Sequence, residues 1–430
     1  MEAQETSVPR RGHASLATAI YINYAILSMA QILISQYSSD FQVMWRTDLH
    51  GISTVISMMG IGRLLTILFA GDFSDRFGRK PVLIVGMIAN FIFLAGLMFS
   101  HSMLMAAIFS LFLGFANSFD DAAAYPALSE AFPAKSASMS SLVKAAMSLA
   151  QFALPFIIAV IPNSSVTLGI LAVVVLIDLV LIITSRFAPQ GTVPESAEEI
   201  KKEEIANEDS KIESNNKPSM KIDGVGLIAL GFTISFTFYV YTQYIPNFGI
   251  SVLGLNDIAA KSLMSWYAIF SLISVFVTTI LVTKIKPIYL VILYPLISLV
   301  FLILMIAFPS VMLARITSAV VGFFAAGGVW QLGLAVLTQY FPQKKGKVTG
   351  YYSFAAALTY FVGPFVSSFI ISSTAASVLE VFIIDVAVTL LGVIIAVLIQ
   401  FRNRNYRFFV SVYYTNNSAH ETDHYLLSAG

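Results

Sequence analysis

Two adjacent aspartates, Asp120 and Asp121, stand inside GFANSFDDAAAYPALSEAFP (residues 114–133), a stretch apolar enough to be buried. Carboxylates in such surroundings can carry a proton, pair with a cation or hold a polar solute. Two basic residues, Arg63 and Lys144, also fall inside apolar stretches. Arg63 precedes Gly71 by eight residues, Asp121 precedes Glu130 by nine, and Lys144 follows the start of its own stretch by six to eight. At about 1.5 Å per helical residue, all three lie roughly 9–14 Å inside one membrane boundary. The expectation is an ion-pair cluster of Asp120, Asp121, Arg63 and Lys144. Asn117, Asp121 and Tyr125 recur every fourth residue and share a helix face, whereas Asp120 points about 100° away. Asp121 is therefore expected to face the interior path and Asp120 a neighbouring helix. Three roles stay open for the cluster: bracing a gate, coupling to protons, or touching solute. His13, His50, His101, His420 and His424 all fall in loops or tails, so carboxylates must carry any proton. With no cysteine and no metal-spaced cluster, neither a metal nor a cofactor is expected.

The elements that position these charges follow from composition. The 430 residues are 57% hydrophobic and 11% charged, with a mean hydropathy of +0.81. A soluble surface cannot be built from so few charges. Twelve stretches reach the roughly 20 apolar residues a helix needs to cross a bilayer. They centre on 15–38, 50–71, 81–100, 103–128, 138–162, 165–187, 223–247, 259–283, 287–308, 310–340, 346–372 and 376–401. The expected fold is an all-α polytopic membrane protein with twelve transmembrane helices in two pseudo-symmetric six-helix bundles. The first apolar run reads as a spanning helix rather than a cleavable signal.

Placing residues 1–14 in the cytoplasm puts all but five of the 25 lysines and arginines on that side. The positive-inside rule then predicts a multi-pass protein of the cell membrane with both termini cytoplasmic. Residues 15–187 form the expected N-terminal bundle and 223–401 the C-terminal one. Residues 188–222, of mixed charge and almost without aromatics, read as a cytoplasmic linker, and 402–430 as a cytoplasmic tail. The expected partners are lipid, a small-molecule solute and protons; nucleic acid is not among them, and a monomer is expected.

The two halves are related. Residues 128–157 align without a gap on 337–366, with nine of thirty positions identical, among them Phe132/Phe341, Pro133/Pro342, Lys135/Lys344 and Pro155/Pro364. Internal repeats of this kind mark secondary transporters. Asp178 and Asp385 also occupy nearly equivalent places and are expected to make structural hydrogen bonds.

Between the second and third stretches stands GDFSDRFGRKPVLIVG, residues 71–86. It resembles the signature loop of the major facilitator superfamily at Gly71, Asp75, Arg76, Gly78, Arg79 and Lys80, with Phe73 in place of the usual leucine. The resemblance implies a gating role for these six residues, which can latch neighbouring helix ends in one conformation. It also implies that the first, fourth, seventh and tenth helices line a central path, flanked by the second, fifth, eighth and eleventh. Polar residues at helical spacing on those elements make Tyr24, Gln31, Asn117, Gln151, Tyr241, Gln243, Trp330 and Gln331 candidate solute contacts, beside Gly327 and Gly328. The implied function is secondary active transport by alternating access, as a proton-coupled symporter of a sugar or organic acid. Proton-driven efflux of hydrophobic drugs is the alternative, disfavoured because SLAQFALPFIIAV lacks the glycine-rich pattern of such antiporters. A non-transporting receptor is a further alternative. No enzymatic role is expected.

Overall fold

The computed structural model describes residues 11–189, 218–282, 284–341 and 345–403. The N-terminal ten residues, most of the linker, Lys344 and the tail beyond 403 lie outside them. Among the described residues twelve long helices run up and down: α1 Arg11–Gln36, α2 Leu49–Phe77, α3 Arg79–Met98, α4 Met103–Ala131, α5 Ser136–Val160, α6 Ser164–Thr184, α7 Val225–Ser251, α8 Asp257–Leu281, α9 Pro287–Ala307, α10 in two parts (Val311–Val321 and Val329–Tyr340), α11 Lys345–Ser368 and α12 Ala375–Arg402. Eleven are long and apolar enough to cross a membrane; α11, rich in hydroxyl residues and carrying Lys345 and Lys347, is the exception. This is an all-α polytopic membrane protein.

Helices α1 to α6 pack among themselves, as do α7 to α12, and the two groups meet chiefly through α2 against α11 and α5 against α8. One end of the molecule, called here the basic end, carries Arg76, Arg79, Lys80, Lys347 and Arg402. All six even-numbered helices begin at the opposite end. Each starts with a side-chain cap: Asp48, Ser102, Asn163, Asn256, Ser310 and Thr374 accept a backbone N–H of the first turn at 2.8–3.3 Å. Such caps satisfy donors that a helix start otherwise leaves bare.

Small residues set the closest crossings. A methyl group on Gly114 of α4 would stand 2.1 Å from the Met59 carbonyl of α2, and one on Gly62 of α2 would stand 2.1 Å from the Leu111 carbonyl of α4. In the second group Gly322 meets the Tyr267 carbonyl of α8 in the same way, at 2.1 Å. Gly114 and Gly322 are 208 residues apart, as are the caps Ser102 and Ser310. Phe132 and Phe341, which end α4 and α10 with nearly identical backbone angles, are 209 apart. The extra residue is absorbed between them, where α10 loosens into a π-turn at Gly322–Ala326 and breaks at Gly327 and Gly328. The Gly327 carbonyl freed there accepts from Ser274 at 2.9 Å and from Thr278 at 3.2 Å.

One element was not anticipated. Ser38–Trp45 forms a short helix after α1, anchored by Trp45 Nε1 donating to Ser100 Oγ at 2.8 Å.

The contacts that join the two groups run from the end opposite the basic one to mid-depth. Tyr244 donates to Ser53 at 3.1 Å, and Lys261 sits 5.2 Å from the centre of the Tyr37 ring. Deeper in, a methyl on Gly60 would meet the Phe361 backbone, and Ser148 and Ser271 hydroxyls lie 3.4 Å apart. Toward the basic end, methyl groups on Gly71 of α2 or Gly350 of α11 would meet nothing within 4 Å.

Candidate functional site

Arg63 lies midway along α2, and its Nη2 stands 2.9 Å from Asp121 Oδ2 on α4. The Gly62 and Gly114 crossing brings the two backbones close enough for this pairing, and Ser118 donates to the Arg63 carbonyl at 3.1 Å. The other oxygen of Asp121 accepts from Tyr24 of α1 at 2.8 Å. Tyr24 in turn meets Tyr125 edge to face, with ring centres 5.6 Å apart. From the opposite group, Tyr360 of α11 places its ring 4.6 Å beneath the Arg63 guanidinium. Four helices from both groups thus converge on one carboxylate–guanidinium pair. The pair is partly buried, with the Arg63 side chain 14% and the Asp121 side chain 35% exposed; such a pair adds little net stability but is costly to break from one side, which suits a switch.

Asp120 turns away, as its place on the helix face requires. Its carboxylate is fully buried; Oδ2 accepts from Asn23 of α1 at 2.8 Å, and Oδ1 has no hydrogen-bond partner. Gly86 of α3 makes the room: a methyl there would stand 2.1 Å from Oδ1. Asn90, one turn further along α3, is also fully buried.

Lys144 is not part of this group. It lies on α5, which packs against α1 and α8 rather than α2, and it forms no ion pair or hydrogen bond among the described residues. The four charges expected to cluster therefore form one ion pair, one buried carboxylate held by an asparagine, and one free amine. Depth along the membrane matched them, but position around the bundle separates them.

The polar candidates divide likewise. Gln31 donates to Asn117 at 2.5 Å, and Gln243 of α7 donates to the Gln31 carbonyl at 3.1 Å, tying the two groups together. Gln151 is half-buried on the same face of α5 as Lys144. Tyr241 is buried inside the second group, paired with Ser318 at 2.8 Å, and Trp330 packs on the Tyr352 ring. Gln331 is exposed. Asp178 and Asp385 are both buried, yet their carboxylate oxygens have no hydrogen-bond partner among the described residues, contrary to the structural bonds expected of them.

The signature loop is a bracket within the first group. Gly78 turns the chain from α2 into α3 at φ 100°, a backbone conformation open to glycine. Arg79 then reaches Asp75 at 2.5 Å and Glu130, at the end of α4, at 3.1 Å. Lys80 donates to the Ile183 and Ser185 carbonyls that end α6, at 2.5 and 3.2 Å. Among the described residues Arg76 makes a ring contact with Phe77 and no ion pair, and Gly71 is exposed. A counterpart in the second group escaped the sequence reading. Buried Asp223, at the start of α7, accepts from Asn403 at 2.8 Å and pairs with Arg402 at 3.2 Å, both at the end of α12. Tyr360 and Asn23 were also missed; neither lies at the spacing used to pick out the polar faces. No cluster of metal-ligating side chains occurs among the described residues.

A family model described as Major Facilitator Superfamily matches residues 14–327 and 262–407. The chain is 33% identical over 393 residues to the inner membrane transport protein YdiM of Escherichia coli (strain K12), covering 90% of this chain and 94% of that one. It is 32% identical over 391 residues to the MFS-type transporter YfkL of Bacillus subtilis (strain 168), covering 90% and 96%. Among solved structures it resembles a D-xylose-proton symporter, with a TM-score of 0.70 at 14% identity over 92% of this chain and 98% of the other. The nucleoside transporter NupG gives 0.69 at 12% identity over 90% and 99%. At those identities the structural likeness speaks for the fold alone.

Proposed function

The chain belongs to the major facilitator superfamily, and from that premise we propose that it is a proton-coupled secondary transporter taking up a small organic solute by alternating access. The observation that carries this reading is the Arg63–Asp121 pair, partly buried midway along α2 within the first group and touched from the second group by Tyr360. The basic end is the cytoplasmic one by the positive-inside rule, with both termini in the cytoplasm, and the contacts from Tyr244–Ser53 to Ser148–Ser271 that hold the groups together away from it support an inward-facing reading. Residues 15–187 and 223–401 are the two rocking units.

In this cycle Asp121 is ionised while Arg63 neutralises it. Movement of α11 withdraws the Tyr360 ring from Arg63 and exposes the pair to the other side. There the carboxylate accepts a proton and releases the guanidinium, which allows the units to rock. Gln31, Asn117, Gln151 and Gln243 supply amides for a polar solute, which supports a sugar or organic acid over a hydrophobic drug. The signature bracket and the Asp223–Arg402–Asn403 clamp keep the helix ends of each unit together as it moves.

The test is flux. Purified protein is screened by thermal shift against sugars, organic acids, amino acids and drugs. Each stabilising compound is then assayed for uptake into proteoliposomes with and without a proton gradient. Accumulation that requires the gradient supports the reading; solute exchange without accumulation removes the proton, and the absence of any flux removes transport.

A further inference from the structure

We propose that Lys144 is the anion-recognition residue of the transport path, and that the carried solute is a hydroxylated organic acid bearing a single carboxylate. The proposal rests on the transport reading above and deepens it.

Direction comes from helix geometry. On α5 the Met147 carbonyl accepts from Ser28 of α1 at 3.1 Å, and Met139 meets the Tyr21 hydroxyl of the same helix. Ser148 and Phe152 meet Ser271 and Ser265 of α8. At about 100° per residue, Lys144 and Gln151 project between these two directions. They point into the space bounded by α1 of one group and α8 of the other, which is the path between the groups.

Charge balance comes next. The other cation set deep within a spanning helix, Arg63, is matched by Asp121 at 2.9 Å. Lys261, near the start of α8, is matched by Asp257 at 2.5 Å. Lys144 has no such partner among the described residues. It is eight residues into α5, about 12 Å from the helix start, which is farther than a lysine side chain extends. An unpaired ammonium at such depth is expensive unless water or an anion reaches it. The scaffold does not demand it: the equivalent position in the repeat is Ser353. One unmatched positive charge calls for one negative charge on the solute. The hydroxyl of Ser140 and the amide of Gln151 on the same face suit a solute that also carries hydroxyl groups.

The chain has no cysteine, so a single one can be introduced as a reporter. Ser140→Cys places it one turn from Lys144 toward the basic end. In inside-out vesicles, its rate of modification by an anionic methanethiosulfonate is compared with that by a cationic one. The anion-to-cation ratio should fall roughly tenfold when Lys144→Gln is added and hold with Lys144→Arg. A ratio indifferent to Lys144→Gln overturns the proposal. Thermal shift with matched pairs then addresses the solute: gluconate against sorbitol, glycerate against glycerol, lactate against propane-1,2-diol. A carboxylate that stabilises the parent and Lys144→Arg but not Lys144→Gln, while its alcohol does nothing, supports the proposal. An acid bound equally by Lys144→Gln, or transport of a neutral solute unaffected by Lys144→Gln, overturns it while leaving the transport reading intact. Absence of flux for every compound defeats the transport reading instead, whatever the reagent ratio shows.

Discussion

Arg63 and Tyr360 belong to different helix groups, yet the guanidinium lies 4.6 Å above the tyrosine ring while its Nη2 holds Asp121 at 2.9 Å. The charge that neutralises the carboxylate is thus also the charge that the second group touches. Any change that carries α11 away from α2 alters the surroundings of the ion pair directly, without a relay of intermediate residues. In this conformation the ring supplies a cation–π contact worth about 0.5–2 kcal/mol, the scale of an equilibrium between two conformers rather than of folding.

Substitution at Asp121 should separate coupling from movement. Asp121→Asn keeps the hydrogen bond from Tyr24 but cannot ionise. Proteoliposomes carrying it should exchange solute across the membrane at near-parental rates and fail to accumulate it against a proton gradient. Both variants leave the largely buried Arg63 without its anion, but Asp121→Ala also removes the acceptor for Tyr24 and should therefore lower the melting temperature in detergent further than Asp121→Asn does. Accumulation surviving in Asp121→Asn would remove this residue from coupling.

Asp120 and Gly86 should behave as one unit. Gly86→Ala places a methyl group 2.1 Å from Asp120 Oδ1, where no flexible end can yield without disturbing the bond to Asn23. Overpacking of this kind costs about 1–3 kcal/mol. Asp120→Ser, which shortens the side chain, should recover much of the loss in the double variant, with a coupling of about 1 kcal/mol or more. Melting curves of the four proteins give the cycle; strictly additive effects would mean the clash is relieved elsewhere.

Much of this architecture was legible in the sequence because a bilayer imposes simple rules. Lipid demands apolar runs of fixed length, which marked the spans, and helix periodicity placed Asp121 on the interior face and Asp120 off it. Depth along the membrane was equally readable, and it brought Arg63 to the level of Asp121. Position around the bundle was not, since nothing in the local pattern says which neighbour a helix will face; Lys144 was therefore grouped with charges it does not touch. The Asp223–Asn403 clamp joins chain segments 180 residues apart at helix ends, where no periodicity operates. The π-turn of α10 went unseen for a different reason. The aligned repeat begins at Leu128, beyond the matched Gly114 and Gly322, so the shift from 208 to 209 residues fell outside it.

The signature bracket should show unequal partners. Arg79 is largely buried and bridges Asp75, Ser74 and Glu130, whereas the Asp75 side chain is 71% exposed. Exposed pairs contribute about 0–1 kcal/mol. Asp75→Asn should leave the melting temperature nearly unchanged. Arg79→Ala should lower it clearly, because Glu130, whose side chain is 9% exposed, loses the cation that solvates it. The reverse order of stability would mean that the bracket is held from the exposed side.

The break in α10 gives the last contrast, between a residue that is strained and one that is crowded. Gly328 has φ 115°, a region that costs other residues about 1–3 kcal/mol, but a methyl there would meet nothing closer than Thr278 at 3.3 Å. Gly327 has a negative φ of −82°, and its methyl would fall 2.0 Å from Ser274 Oγ, 2.1 Å from Ser274 Cβ and 2.5 Å from the Phe323 carbonyl oxygen. Ser274→Gly removes both side-chain atoms, and with them one of the two hydrogen bonds to the Gly327 carbonyl, while the Phe323 carbonyl stays in place. Gly327→Ala should therefore be partly rescued by Ser274→Gly, whereas Gly328→Ala should not respond to any change in its neighbours. Melting temperatures of the single and double variants distinguish the two. Equal rescue of both would show that contact with α8, rather than backbone strain, sets the geometry of the break.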